Sequence, residues 1–364
     1  MRLLKRGRRP AFLIACLAVV LPGFPAQAQD KKEEDVSLPT VDGLRLSGVW
    51  YPGAKGKSSD VVLMLHNWGE SMSKGDWSSL AQALHQKGFA VLMFDFRGHG
   101  KSTTPRTIDK PEEFLNPRKY PFNRYANTGA TRPEQLKGLD YKRFDKSRYF
   151  PYLVNDIAAA RRFIDGRNDQ GECNSGRIFV IADGEMCSLS LLWGATEFHR
   201  KGINPVALGA APPNHIAGSD IMGAVWLSYR SNPSVSPIIE KMLRDRELSD
   251  KIERPLEDKV SVAFVFGEDD KDSANIARAW FTRWNIKPNQ NEDRDKGKYT
   301  IRVKGAKALR GVNLLDPKLK ADEPILEFIT ATKKKNLTGN DFVERHPSVI
   351  EAVPVPLERY GLKP

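Results

Sequence analysis

The residues through which this 364-residue chain could do acid–base, nucleophilic or metal chemistry are few: six histidines, three cysteines and one dense carboxylate run, Gly267-Glu268-Asp269-Asp270. No His, Cys, Asp or Glu spacing matches a metal site, so neither a metal nor a cofactor is expected. The segment Gly98-His99-Gly100-Lys101-Ser102 lacks the eight-residue spacing of a phosphate loop. No Gly-x-Ser-x-Gly nucleophile motif occurs anywhere, and no histidine lies between His215 and His346. His66 and His99 follow apolar runs, His85 sits on a helix-patterned stretch, and His199 lies near a helix end where a cation is favourable. His215 lies where it could reach a cleft.

The elements that must position these residues follow from periodicity. Residues 36–50 read as a hairpin around Asp42-Gly43. The continuous apolar runs 60–65 and 89–94 read as strands buried on both faces. Residues 77–86 show helical spacing and stop at Gly88. After an aromatic, basic and proline-rich insertion at 101–150, helices over 152–164, 185–200, 273–284 and 324–332 alternate with strands over 177–181, 205–208, 260–266 and 299–303. Residues 212–258 read as a second excursion. This alternation specifies an α/β fold: a mostly parallel, doubly wound sheet opened by an antiparallel hairpin, with helices on both faces. Cys173 and Cys187 flank the 177–181 strand. At ~3.3 Å per residue they are too far apart to bridge, so two free thiols are expected.

Two stretches carry a family resemblance. His66-Asn67-Trp68-Gly69 closes one buried strand, and Phe94-Asp95-Phe96-Arg97-Gly98-His99-Gly100-Lys101-Ser102 closes the next. Together with Leu80, Leu84 and Lys87-Gly88-Phe89 between them, they resemble the α/β-hydrolase superfamily over residues 60–102, and more loosely to about 330. The resemblance implies a serine-hydrolase core of esterase, lipase or peptidase type, with cap-like insertions at 101–150 and 212–258. It also implies three slots: a nucleophile on a sharp strand-to-helix turn, a histidine base and an orienting acid.

Each slot can be located in this chain. The turn is Ala182-Asp183-Gly184-Glu185-Met186, which puts Gly184 in the nucleophile position. The acid position falls on Asp270. The base position falls on Arg310, whose guanidinium stays protonated and cannot act as a general base. The resemblance assigns the oxyanion-stabilising N–H groups to Trp68 and Glu185, with Asn67 where the family usually has glycine. Asp183 and Cys187 are the fallback nucleophiles, and Ser71, Ser188 and Ser190 are weaker ones. Arg310 is expected to pair with Asp270 in place of a working triad.

Charge and the N-terminus bound the partners. Arg2, Lys5, Arg6, Arg8 and Arg9, the apolar run 11–20 and Ala26-Gln27-Ala28 form a signal-peptide pattern over residues 1–28, too short in its apolar part to span a membrane. Leu13-Ile14-Ala15-Cys16 offers lipid anchoring through Cys16 as a minor alternative. Without the leader, 52 basic against 45 acidic residues leave a charge of +7, with no basic stripe of a nucleic-acid binder. The expected organisation is a leader, a hydrolase-fold domain over 29–332 and a basic, proline-rich tail over 333–364. The expected function is that of an exported, non-catalytic hydrolase-fold protein, bacterial in type, that binds or scaffolds through its cleft. An active ester- or amide-cleaving enzyme with a non-standard nucleophile is the alternative. The ligand is an unknown small molecule or protein, and the insertion 101–150 is a possible protein contact.

Overall fold

The computed structural model describes residues 33–200, 216–244, 258–284, 286, 292–335, 342–347 and 352–362. The leader with Cys16, the strand expected at 205–208 and His215 lie outside these residues.

Among the described residues, eight strands form one sheet in the order β1-β2-β4-β3-β5-β6-β7-β8. They are β1 Glu34–Pro39, β2 Arg45–Tyr51, β3 Asp60–Leu65, β4 Ala90–Phe94, β5 Asn174–Asp183, β6 Ile221–Leu227, β7 Ser261–Gly267 and β8 Lys298–Val303. β2 runs against both of its neighbours, and all other pairs are parallel. Every residue of β3, β4, β6 and β7 is buried, as sheets covered on both faces require. Two apolar layers, one on each face, pack the sheet against its helices. The described helices of eight or more residues are α1 Trp77–Gln86, α2 Val154–Asp169, α3 Met186–His199, α4 Ser236–Arg244, α5 Lys271–Arg283 and α6 Asp322–Lys335.

The excursion expected at 212–258 is corrected. It contains β6, a central strand, and the amphipathic helix α4. Gly223 interrupts the apolar run of β6, and short apolar runs do not declare themselves as strands by periodicity. A Cβ at Gly223 would lie 3.2 Å from both the Phe179 ring and the Ser261 carbonyl oxygen, a tight contact that favours glycine.

The aromatic residues of the insertion are part of the core. Phe114, Tyr120, Phe122, Tyr125, Phe144, Tyr149 and Phe150 turn inward and join the core. Among the insertion's exposed residues basic ones outnumber acidic ones, Arg106, Arg118, Arg132, Lys137 and Lys142 among them. The buried guanidinium of Arg97, in the loop after β4, ties this subdomain down. It bonds Asp42 at 2.6 and 3.1 Å, Asp156 at 2.8 and 2.6 Å, and the Tyr149 hydroxyl at 3.0 Å. One cation therefore joins the hairpin turn, α2 and the insertion.

Residues 342–347 and 352–362 of the tail dock on α2 and on the turn before β6. Asn168 donates to the Val343 carbonyl at 2.9 Å, Arg345 pairs with Asp220 at 3.1 Å, and Leu357 is fully buried. Cys173 and Cys187 are free and buried, as their spacing requires.

Candidate functional site

Parallel β3 lies between β4 and β5, so the chain leaves β3 and β5 side by side at a point where the strand order reverses. A crevice beyond the carboxyl ends of the strands is expected there. The β3 loop contributes Asn67 and Trp68. The β5–α3 turn contributes Asp183, Gly184 and Glu185. Asp270 follows β7, and Arg310 to Val312 follow β8.

Gly184 sits at φ +58°, the left-handed conformation that glycine adopts without strain. A Cβ there would lie 2.4 Å from Asn67 Oδ1 and 2.6 Å from its Cγ. The Asn67 carboxamide thus fills the space a nucleophile side chain would need. Its Oδ1 accepts the Glu185 N–H at 3.1 Å, which is one of the two expected oxyanion donors. The free end of the turn is a closed hydrogen-bond circuit: the Gly184 N–H donates to Leu227 O at 2.9 Å, and the Arg230 N–H donates to Gly184 O at 3.0 Å.

Arg310 pairs with Asp270 Oδ1 at 2.9 Å, the arrangement expected from the sequence, and also with Asp272 at 2.9 Å. Asp270 is buried and caps α5, accepting the Ser273 N–H at 3.3 Å and its hydroxyl at 2.7 Å. An N-capping carboxylate with a charged partner is a complete structural role. The β8 loop nevertheless reaches the turn through its backbone. The Val312 N–H donates to Asp183 Oδ2 at 2.9 Å, and the Gly311 N–H donates to Ser228 Oγ at 2.9 Å. Gly311, at φ +60°, is dictated by contact, since a Cβ would lie 2.3 Å from Asp183 Oδ1.

The fallback nucleophiles are sealed. Asp183 is 2% exposed. Burial, and then the nearby Glu70 carboxylate, push its pKa up to about 7. Burial pushes the Cys187 thiol well above its ordinary value, and its Sγ donates to Ala182 O at 3.2 Å. Ser188 donates to Arg230 O at 2.8 Å and Ser190 to Cys187 O at 2.8 Å, both from inside α3. Ser71, in the loop after β3, meets the Ser73 hydroxyl at 3.0 Å.

The two strand-end histidines are structural. His66 Nδ1 donates to Asn67 O at 2.8 Å and Nε2 accepts the Phe96 N–H at 3.1 Å, so the ring is neutral, and burial lowers its pKa to about 4. His99 stacks on Tyr141 at 4.5 Å, and burial lowers its pKa to about 3. Among the described residues, no group of three or more His, Cys, Asp and Glu side chains could hold a metal ion, and no helix is long and apolar enough to cross a membrane.

Asp183 gives a pH prediction. A carboxyl whose native pKa lies above its ordinary 3.8 stabilises the fold fully below that ordinary value, and the contribution is lost as pH rises through about 7. Asp183→Asn keeps an acceptor for Val312 and never ionises. The variant should match the parent near pH 4 and exceed it at pH 8 by up to about 4 kcal/mol. Urea midpoints at the two pH values measure this, and equal gains at both would sink the assignment.

Two side chains at the site were missed by sequence reasoning: Lys146, which reaches Glu185 from the insertion at 2.7 Å, and Asn232, which donates to Glu185 at 2.7 Å. Neither carries a motif that could have flagged it. Asparagine at 67 and glycine at 184 were legible as two departures from the family pattern, but that the first fills the space beside the second was not.

The family model for the alpha/beta hydrolase fold matches residues 60–161. Two uncharacterized proteins of Mycobacterium tuberculosis are each 41% identical over 66 residues, 18% of this chain, and the chain covers 23% of their length. Among solved structures, an esterase of Pyrococcus furiosus is 16% identical, with 82% of this chain and 90% of that chain covered and a TM-score of 0.44. A dienelactone hydrolase of Anabaena variabilis is 14% identical, with 83% and 98% covered and a TM-score of 0.44. The strand order with its single reversed strand, the sharp β5–α3 turn at the switch point and the family match over 60–161 together make this chain an α/β-hydrolase-fold protein.

Proposed function

We propose that this is an exported hydrolase-fold protein that binds a ligand in the crevice and does not cleave it. The observation that carries this reading is the Asn67 carboxamide, which lies where a nucleophile would stand and holds the Glu185 N–H that a hydrolase keeps for its oxyanion. The glycine at 184 and the Arg310–Asp270 pair support it, since they leave no base at the position where the fold places one. Export rests on the N-terminal pattern of basic, apolar and small residues.

The test is a fluorophosphonate activity probe on the purified mature protein, alongside p-nitrophenyl acetate and butyrate. No labelling and no turnover above buffer is the expected result. Stoichiometric labelling at any residue overturns the reading and replaces it with that of an active hydrolase. N-terminal sequencing of the secreted or periplasmic form, expected to begin near Gln29, tests export separately.

A further inference from the structure

Glu185 holds a carboxylate beyond the carboxyl end of β5, and its surroundings form a recognisable set. Its Oε2 accepts from Asn232 Nδ2 at 2.7 Å, and its backbone is fixed through Asn67. Its Oε1 takes Lys146 Nζ at 2.7 Å, and the same ammonium lies 5.2 Å over the Trp68 ring. Trp68 also packs edge-on or tilted against His99 at 5.1 Å, Tyr141 at 5.7 Å and Phe150 at 5.7 Å. An oriented carboxylate beside an indole face is the donor set that selects an organic cation.

Lys146 is a visitor to this set. It belongs to a one-turn helix of the insertion, Lys146–Tyr149, and its side chain is 41% exposed, so it enters from solvent. Asn232, Asn67 and these aromatic rings hold Glu185 and Trp68 without it. The subsite therefore stays built when Lys146 swings out.

We propose that Glu185 and the Trp68 face form a subsite for the primary ammonium group of a ligand, with Lys146 as its tethered stand-in. The inference rests on reading the crevice as a binding site. Ligand and Lys146 compete for one place, because two ammonium groups cannot share one carboxylate and one ring. Binding thus releases the insertion's latch on the β5–α3 turn. A tethered competitor acts at an effective concentration on the order of millimolar, so removing it raises apparent affinity.

The experiment is calorimetric titration of n-butylammonium chloride into the full mature protein at low salt, with n-butanol as the neutral control. Lys146→Ala is expected to bind n-butylammonium at least about 10-fold more tightly than the parent, by loss of the tethered competitor. Adding Glu185→Gln to that variant should abolish the gain, and n-butanol should not bind. Lys146→Gln repeats the comparison if the alanine variant folds poorly by circular dichroism. No gain in either Lys146 variant, or a gain that survives Glu185→Gln, overturns the proposal. The fluorophosphonate result is independent of these titrations, so loss of the subsite and loss of the non-catalytic reading are told apart.

Discussion

The double variant Gly184→Ser/Arg310→His should remain inactive on p-nitrophenyl esters, and the triple variant that adds Asn67→Gly should turn them over. In the double variant the serine Cβ introduced at position 184 would meet Asn67 Oδ1 at 2.4 Å, so the carboxamide must move or the turn must yield. Any pose that keeps Asn67 near its place also keeps the N–H of Glu185 occupied. An oxyanion donor withheld from the transition state costs on the order of 10²–10³ in rate. Cutting Asn67 back to glycine clears the contact and frees the donor together. Stability should follow the same logic. Gly184→Ser alone combines a left-handed non-glycine residue with a displaced hydrogen bond, about 2–3 kcal/mol in total. Asn67→Gly in the Gly184→Ser background should recover part of that, a coupling of about 1 kcal/mol or more in a double-mutant cycle. Steady-state kinetics and urea denaturation read the two effects. Equal turnover in the double and triple variants would show that Asn67 does not block the site.

Arg97→Ala should destabilise the fold by about 3–5 kcal/mol, the usual cost of stripping one partner from a fully buried ion network. Asp42 and Asp156 would be left as buried carboxylates without their cation, and the Tyr149 hydroxyl would lose the donor now 3.0 Å away. Arg97→Lys should fail nearly as badly, since one ammonium cannot reproduce the fork that meets both carboxylates. Urea midpoints measure the loss. If the alanine variant does not fold, the lysine variant carries the test, and a cost under about 1 kcal/mol there would contradict the network's assigned role. The insertion should loosen first, because Arg97 is its buried tie to the hairpin and α2. Protease sensitivity within 101–150 at denaturant concentrations below the midpoint reads that directly.

Much of this molecule was legible in the chain. The apolar runs within 60–65 and 89–94 read as doubly covered strands and are so, and the 77–86 helix closes at Gly88 as its pattern requires. β6 was not legible, because Gly223 breaks its run and a seven-residue apolar segment has no period of its own. That the aromatics of 101–150 turn inward was not legible in the segment itself. Their burial depends on Arg97 and the sheet edge, which lie outside the segment.

What the sequence alone determined was the alternation of elements, the separation of the two thiols and the chemical identity of three positions: glycine at 184, arginine at 310 and aspartate at 270. Those are local properties, set by residue type and spacing. The tertiary structure decided which side chain takes the space beside Gly184, where the Glu185 carboxylate points and which lysine answers it. Asn67 and Gly184 are 117 positions apart, and Lys146 and Glu185 are 39 apart. Contacts between such residues exist only because β3 and β5 pair in parallel and the insertion folds back over their ends, and no local pattern encodes that closure.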